Sequence, residues 1–323
     1  MDVHTNLAFE TLFGEEVYDG LTHNPKRLSS KFFYDKKGDF LFQRIMAMPE
    51  YYLTNCELEI FEKHKSEITD WFVAGTDQFN LIELGAGDGK KTKILLRHLF
   101  ERKAKFNYFP VDISENILEQ LKASLQEELP RVSVNPIRGT YFEALKGLER
   151  YNGTPNVILF LGSNIGNLKH RQAIDFLRKL KENMNGNDLL FIGFDQKKNP
   201  RTVLNAYNDA TGITEAFNKN ILARINGELE GNFDLDKFLH WEVYDPETGT
   251  AKSFLVSKVA QSARIDKLDL EVHFKQWETI HTETSQKYDD NMVRWLTEEA
   301  ELEIKAQFTD SNYWYKDYLL GRK

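Results

Sequence analysis

The chain has 323 residues, 41% of them hydrophobic and 28% charged, with a formal net charge of −8 at pH 7. That length exceeds a usual single domain and supplies a sizeable core, while the acidic balance and the absence of a basic stripe beyond the isolated Lys36-Lys37, Lys90-Lys91 and Lys197-Lys198 pairs argue against a nucleic-acid partner. The single cysteine, Cys56, excludes an internal disulfide framework and a cysteine-based zinc site. No apolar run approaches the ~20 residues that span a bilayer. Met1 to Phe13 carries Asp2 and Glu10 and no cationic, apolar leader pattern, so the expected location is the cytoplasm, with no membrane and no obligate protein partner.

In chain order, residues 1–61 precede the first clear strand–helix unit. Phe79–Leu84 is then a short apolar strand, and Lys91–Arg102 follows with helical spacing of Ile94, Leu95, His98 and Leu99. Tyr108–Ile113 predicts a strand, Asn116–Leu129 a helix and Val132–Ile137 a further strand. Val157–Leu161 and Leu189–Phe194 are continuous apolar runs of the kind buried on both faces of a sheet. Between them Arg171–Met184 reads as a helix stopped at Asn185-Gly186. Thr202–Ala210 and Ile213–Ile225 are helical, and alternating strands follow around a turn at Asp245–Gly249. Ile304–Leu320 predicts two strands about Thr309–Asn312. The alternation implies an α/β chain with a parallel sheet covered on both faces. Its expected domains are 62–196 plus 286–323, which hold the cofactor, and 1–61 plus 197–285, which hold the substrate.

The chemistry concentrates in Leu81-Ile82-Glu83-Leu84-Gly85-Ala86-Gly87-Asp88-Gly89, a glycine-rich turn between strand and helix. Its spacing is G-x-G-x-G. It lacks the G-x-G-x-x-G of a pyrophosphate cradle, and Lys90 stands where a P-loop needs a glycine. Asp112 ends the next strand, where a carboxylate can accept both hydroxyls of a ribose. A ribose-binding acid without a pyrophosphate cradle suits adenosine joined to something other than phosphate, of which S-adenosylmethionine is the common case. The spacing also disfavours a dinucleotide oxidoreductase.

The chain resembles the histidine-specific Nα-methyltransferase family of the ergothioneine route. The likeness runs through Lys31–Asp35, Met48-Pro49-Glu50-Tyr51-Tyr52, Phe160–Leu168, Ala206–Gly212, Leu268–Phe274 and Thr282–Lys287. It implies a Rossmann-like class I methyltransferase with a second α+β substrate-binding domain. It implies S-adenosylmethionine as cofactor and transfer of methyl groups, up to the trimethyl betaine, to the α-amino nitrogen of a free amino acid, with histidine foremost. Tyr34, Gly85, Gly87, Lys91, Asp112, Thr140 and Tyr141 fall on cofactor positions. Tyr51, Asn167 and Tyr207 fall on the positions that hold the amino acid's head group and align it for reaction, and Glu283 and Ser285 on the pair that receives the imidazole. Two positions depart from the family. Thr140 replaces the usual acid at the adenine, and Ser253 replaces a methionine near the substrate side chain, or Phe254 does if the register is displaced by one. The alternatives are another amino acid or small amine as substrate, or a cofactor-binding homologue with weakened turnover. No metal is expected.

Overall fold

A computed structural model describes residues 9–147 and 153–323, so the first eight residues of the Met1–Phe13 reading lie outside it. In chain order the elements are α1 (Leu12–Thr22), β1 (Lys26–Arg27), α2 (Lys36–Met46), α3 (Tyr52–Val73), β2 (Phe79–Leu84), α4 (Thr92–Glu101), β3 (Phe106–Asp112) and α5 (Glu115–Glu128). There follow β4 (Ser133–Val134), β5 (Ile137–Arg138), α6 (Tyr141–Gly147), β6 (Asn156–Phe160), α7 (His170–Glu182), β7 (Leu189–Asp195), α8 (Pro200–Tyr207) and α9 (Ile213–Glu228). The last are β8 (Phe238–Asp245), β9 (Thr250–Ser257), β10 (Gln261–Ile265), β11 (Leu270–Phe274), β12 (Thr279–Gln286), α10 (Asp290–Glu299), β13 (Leu302–Thr309) and β14 (Tyr315–Arg322).

The chain divides into two compact units. The larger comprises residues 51–199, 246–249 and 285–323. Its sheet has the order β13-β14-β7-β6-β2-β3-β4, with β5 also beside β3. The strands from β4 to β7 are parallel, and β14 enters antiparallel between β7 and β13. The chain leaves the central strand β2 toward β3 on one side and later returns to β6 on the other. At such a reversal the helices diverge and open a crevice beyond the strands' carboxyl ends. This topology is the Rossmann-like, mostly parallel α/β arrangement. The predicted third strand is two short pieces, because Asn135-Pro136 interrupts it and proline has no ladder donor.

Local chemistry sets the edges of these elements. The Ser114 hydroxyl caps α5 by accepting from the Ile117 amide at 3.3 Å. Ala173, Ile174, Phe176, Leu177 and Leu180 recur at helical spacing and bury one face of α7. In the β13–β14 turn the Asp310 carboxylate accepts from the amides of Asn312, Trp314 and Tyr315 at 2.8–2.9 Å. Apolar β2 admits one buried acid, Glu83, which accepts from Thr92 Oγ1 at 2.5 Å and from the Tyr108 hydroxyl. Burial pushes its carboxyl up to about 7, although both hydroxyls favour the charged form. Its native pKa thus lies above the usual glutamate range, so the stabilisation from keeping Glu83 protonated is complete below that range and is lost as pH rises through about 7. Glu83→Gln is therefore expected to unfold at higher denaturant than the unaltered protein at pH 8. The gap should be on the order of a few kcal/mol and close toward pH 5; a gap independent of pH would refute this account.

The smaller unit comprises residues 9–50, 200–245 and 250–284. It has a four-stranded sheet of order β1-β12-β9-β8, a β10–β11 hairpin and helices α1, α2, α8 and α9. In β8, Phe238, His240 and Glu242 are buried while Leu239, Trp241 and Val243 are exposed, the period-two pattern of a half-covered strand. The Asp209 carboxylate accepts from the amides of Thr211, Ile213 and Thr214 at the head of α9. Burial opposes its charge, but bonds from the Thr211 hydroxyl, the Thr214 amide and hydroxyl and the Ile213 amide outweigh burial and hold it below the usual carboxylate range. The first segment ends at residue 50, not near 61, because α3 is one continuous helix of the larger unit. Phe61 and Phe72 on α3 both pack against Phe191 of β7, with ring centroids 5.9 and 6.0 Å apart.

Candidate functional site

At the carboxyl end of β2 the chain turns through Gly85, Gly87 and Gly89, with φ of 75°, 54° and 64°. These left-handed angles favour glycine. A Cβ at Gly85 would stand 3.1 Å from the Tyr141 hydroxyl and 3.3 Å from Asn164 Nδ2, whereas one at Gly87 would meet nothing within 4 Å. The loop is therefore closed beneath Gly85 and open above Gly87, as a cradle for a ligand must be. Gly85 and Ala86 donate to the Val111 carbonyl at 2.8 and 3.1 Å, which brings the loop beside the end of β3. There Asp112 accepts from the Gly87 amide at 3.2 Å through one oxygen and from the Ser114 amide at 3.0 Å through the other. Burial raises its carboxyl, and those amide bonds offset part of the rise. Each oxygen retains acceptor capacity for a diol. The residues present fit an adenosine-bearing cofactor.

Tyr141 opens α6 and packs edge-on against Phe160 and Phe176, with centroids 5.4 and 6.1 Å away. Thr140 before it donates its hydroxyl to Glu143 Oε2 at 2.6 Å, and the same oxygen accepts the Thr140 amide at 3.0 Å. Glu143 thus supplies one half of a T-x-x-E cap, accepting the Thr140 amide, while the Thr140 hydroxyl donates to the same carboxylate. The Thr140 oxygen keeps lone pairs with which to accept. Lys91 pairs with Glu57 of α3, whose oxygens also accept from the Gly162 amide at 3.0 and 3.1 Å and from the Tyr315 hydroxyl at 3.1 Å. Burial works against the Lys91 charge, but Glu57 prevails and holds its pKa above the ordinary ammonium value. Lys91 is thus fixed between the glycine-rich loop and the end of β6. Sequence reasoning missed Glu57, since one acid on a long helix carries no distinguishing pattern. Cys56, one position before it, is buried, and burial pushes its thiol up, as for an inert core thiol.

The residues expected to hold the substrate belong partly to the larger unit and partly to the smaller. Tyr51 is the N-cap residue of α3, Asn167 ends a short 3-10 turn from Asn164, and Ser285 lies near the end of β12; all three belong to the larger unit. Their neighbours converge on one buried carboxylate, Asp195, at the end of β7. Asp195 accepts from the Tyr52 hydroxyl at 2.8 and 3.0 Å and pairs with Lys198 and with Lys287 Nζ, the latter at 2.8 Å. Its amide donates to Ser163 Oγ at 3.0 Å, at the residue that starts the turn leading to Asn167. Lys287 in turn donates to Ser285 Oγ at 2.6 Å. Burial opposes the Asp195 charge, but the two ammonium groups hold its carboxyl below the usual range. Sequence reasoning gave Asp195, Lys198 and Lys287 no role, because nothing in their local pattern shows that the three meet.

In the smaller unit Tyr207 ends α8, and its carbonyl accepts from His240 Nε2 at 3.0 Å. Tyr34 packs edge-on against Phe42 and Phe217, at 5.4 and 5.5 Å. Ser253 is buried, with its hydroxyl 2.6 Å from Glu242 Oε2 and 3.4 Å from Glu283 Oε2. The structure thus brings Ser253 and Glu283 together and adds Glu242, which the sequence had not singled out. Regular alternation along β12 stops near its end, where the adjacent Ser285 and Gln286 are both buried. Among the described residues no cluster of three or more His, Cys, Asp and Glu side chains could hold a metal ion. Among them, too, no helix is long and apolar enough to cross a membrane.

Comparison with known proteins agrees with this geometry. Residues 13–322 match the family described as histidine-specific, S-adenosylmethionine-dependent methyltransferase. The chain is 36% identical over 284 residues to a histidine N-alpha-methyltransferase of Mycolicibacterium smegmatis, covering 88% of this chain and 87% of that protein. It is 35% identical to a protein of the same name from Mycobacterium tuberculosis, covering 88% and 91%. It is 31% identical to ergothioneine biosynthesis protein 1 of Schizosaccharomyces pombe, covering 98% of this chain and 41% of that longer protein. A match along nearly the whole chain, over a sheet whose strand-end loop fits an adenosine cofactor, makes this protein a member of the histidine-specific, S-adenosylmethionine-dependent methyltransferase family.

Proposed function

We propose that this enzyme methylates the α-amino nitrogen of free L-histidine, up to the trimethyl betaine, using S-adenosylmethionine. What carries the reading is the family match across residues 13–322. The side-chain chemistry supports the same substrate. Glu283, Ser253 and Glu242 form a polar, acidic group that suits an imidazole N–H and would leave an apolar indole facing carboxylates. The location we assign is the cytoplasm, with a small amino acid as the only partner the reaction needs.

When bound, the cofactor would supply a methyl group on a sulfonium, whose sulfur is a good leaving group because it departs as a neutral thioether. The larger unit carries the cofactor candidates Gly85, Gly87, Lys91, Asp112, Thr140 and Tyr141, and the smaller unit carries the candidate Tyr34. Asp112 would accept the ribose hydroxyls, and the Thr140 oxygen would accept from the adenine amino group. Tyr51, Asn167 and Tyr207 hold the substrate's carboxylate and amino groups with neutral donors and acceptors. Their catalytic work is alignment, since the nucleophile must lie in line with the breaking bond. The amino group must first lose its proton, to water or to a nearby tyrosine oxygen. Glu283 accepts from the imidazole.

The test is mass spectrometry of a panel of free amino acids incubated with enzyme and cofactor. Histidine should gain methyl groups in preference to all others. Glu283→Ala should raise KM for histidine by about tenfold, the worth of one hydrogen bond to a charged group, while cofactor affinity is unchanged. An enzyme that binds the cofactor but leaves histidine unmethylated defeats the reading. The smaller side chain at Ser253, where the family carries methionine, favours a second reading in which a bulkier amino acid is the substrate, and the same panel would reveal it.

A further inference from the structure

We infer that Asp317 is a positioning residue for the cofactor: it shares one proton with Glu57, and this pair of acids holds the Lys91 ammonium beside the glycine-rich loop. The inference rests on the proposed cofactor role of Lys91, and every residue in it belongs to the larger unit.

The sheet sets the placement. Asp317 of β14 lies directly across the ladder from Gly193 of β7, and residues so paired point to the same face, with Cβ positions about 5 Å apart. Gly193 has no side chain, and the Glu57 carboxylate and the Tyr315 hydroxyl take its space. A Cβ at Gly193 would stand 2.7 Å from Glu57 Oε1 and nearer still to the Tyr315 hydroxyl. Asp317 therefore meets Glu57 acid to acid, and the two are hydrogen-bonded.

Buried carboxyls in contact share a proton, because two like charges there are not both tolerated. Glu57 and Asp317 are fully buried, and neither oxygen of Asp317 meets an N–H or O–H donor among the described residues. As a carboxylate, Asp317 would be a buried charge without a donor, which is a costly state. As an acid it has one proton to give, and Glu57 is the acceptor. Burial first and the Glu57 charge second hold the Asp317 carboxyl well above the usual range, although Lys91 opposes them. The further acids around the cluster, Glu83 beside Lys91 and Asp195 beside Tyr315, add no counter-cation. One proton and one ammonium thus balance the two acids.

Glu57 then receives from Lys91, from the Gly162 amide at 3.0 and 3.1 Å, from the Tyr315 hydroxyl at 3.1 Å and from the Asp317 acid. A carboxylate offers about four lone-pair sites, so Glu57 is saturated and held in one orientation. Its grip fixes where Lys91 Nζ stands, and an ammonium with three donors keeps capacity for an acceptor on the cofactor. Asp317 acts on the cofactor only through Glu57 and Lys91.

Infrared spectroscopy of the unaltered protein tests this, with carbon-13 in the side-chain carboxyl of aspartate and the pH near 8, about four units above the ordinary aspartate value. A carboxylic-acid C=O band should persist there, move on labelling, which sets it apart from glutamic acid, and vanish in Asp317→Asn. Absence of such a band would overturn the inference. Saturation with S-adenosylmethionine should shift the band, because Glu57 and Lys91 link Asp317 to the cofactor. A band that ignores the bound cofactor would leave Asp317 a purely structural acid and overturn its positioning role. Titration calorimetry on the same samples shows whether the cofactor is bound, and no binding by the unaltered protein would defeat the cofactor reading itself, whatever the acid band shows. Variants give an independent readout. Asp317→Asn keeps a donor for Glu57 and should bind S-adenosylmethionine within about twofold of the unaltered protein, whereas Asp317→Ala lacks that donor and should bind about tenfold more weakly. Equal affinities in the two variants would contradict the role. The spectra of the unaltered protein decide the matter even if Asp317→Ala does not fold.

Discussion

Asp195→Ala should be the most damaging single substitution in the larger unit, with a loss on the order of 3–5 kcal/mol of stability. The carboxylate is fully buried and faces the Lys287 and Lys198 ammoniums and the Tyr52 hydroxyl. Its removal strands two cations with no solvent to take them up, and breaking one side of a buried pair costs more than the pair itself contributes. The urea midpoint should fall accordingly, and part of the loss should return when Lys287→Met is added, because one stranded charge is then gone. A variant with an unchanged midpoint would refute the assignment of Asp195 as the hub. A loss that Lys287→Met leaves untouched would trace it to packing and not to charge.

Asp112→Ala should weaken S-adenosylmethionine binding by at least about tenfold, since it removes an acceptor in charge-assisted hydrogen bonds worth roughly 1.5–3 kcal/mol. The damage extends to the loop, because the Gly87 amide loses its acceptor at 3.2 Å and the glycine-rich turn loses a tether to β3. Asp112→Asn keeps the shape and one acceptor oxygen, so its affinity should fall between the two. Titration calorimetry measures both variants. Normal cofactor binding by Asp112→Ala would remove the carboxylate from the site.

Much of this was legible in the amino-acid order. The apolar runs that became β2, β6 and β7, the glycine-rich turn and the acid ending β3 could be read directly, because each is a local pattern whose chemistry depends on near neighbours. The bond that commits the Thr140 hydroxyl to Glu143 emerged only from the structure. The boundary near residue 61 was misplaced because the pattern of α3 does not say which sheet its apolar face will meet; Phe191, far along the chain, decided that. The polar framework was the least legible. Glu57 meets Lys91 and Gly162, Glu242 meets Ser253, and Asp195 gathers Tyr52, Lys198 and Lys287 from remote segments. Alone in sequence each of these acids resembles a solvated residue. Burial beside a particular partner changes that, because in a low-dielectric interior a charge persists only where a counter-charge or donor is already in place, and only the tertiary fold determines which residues those are.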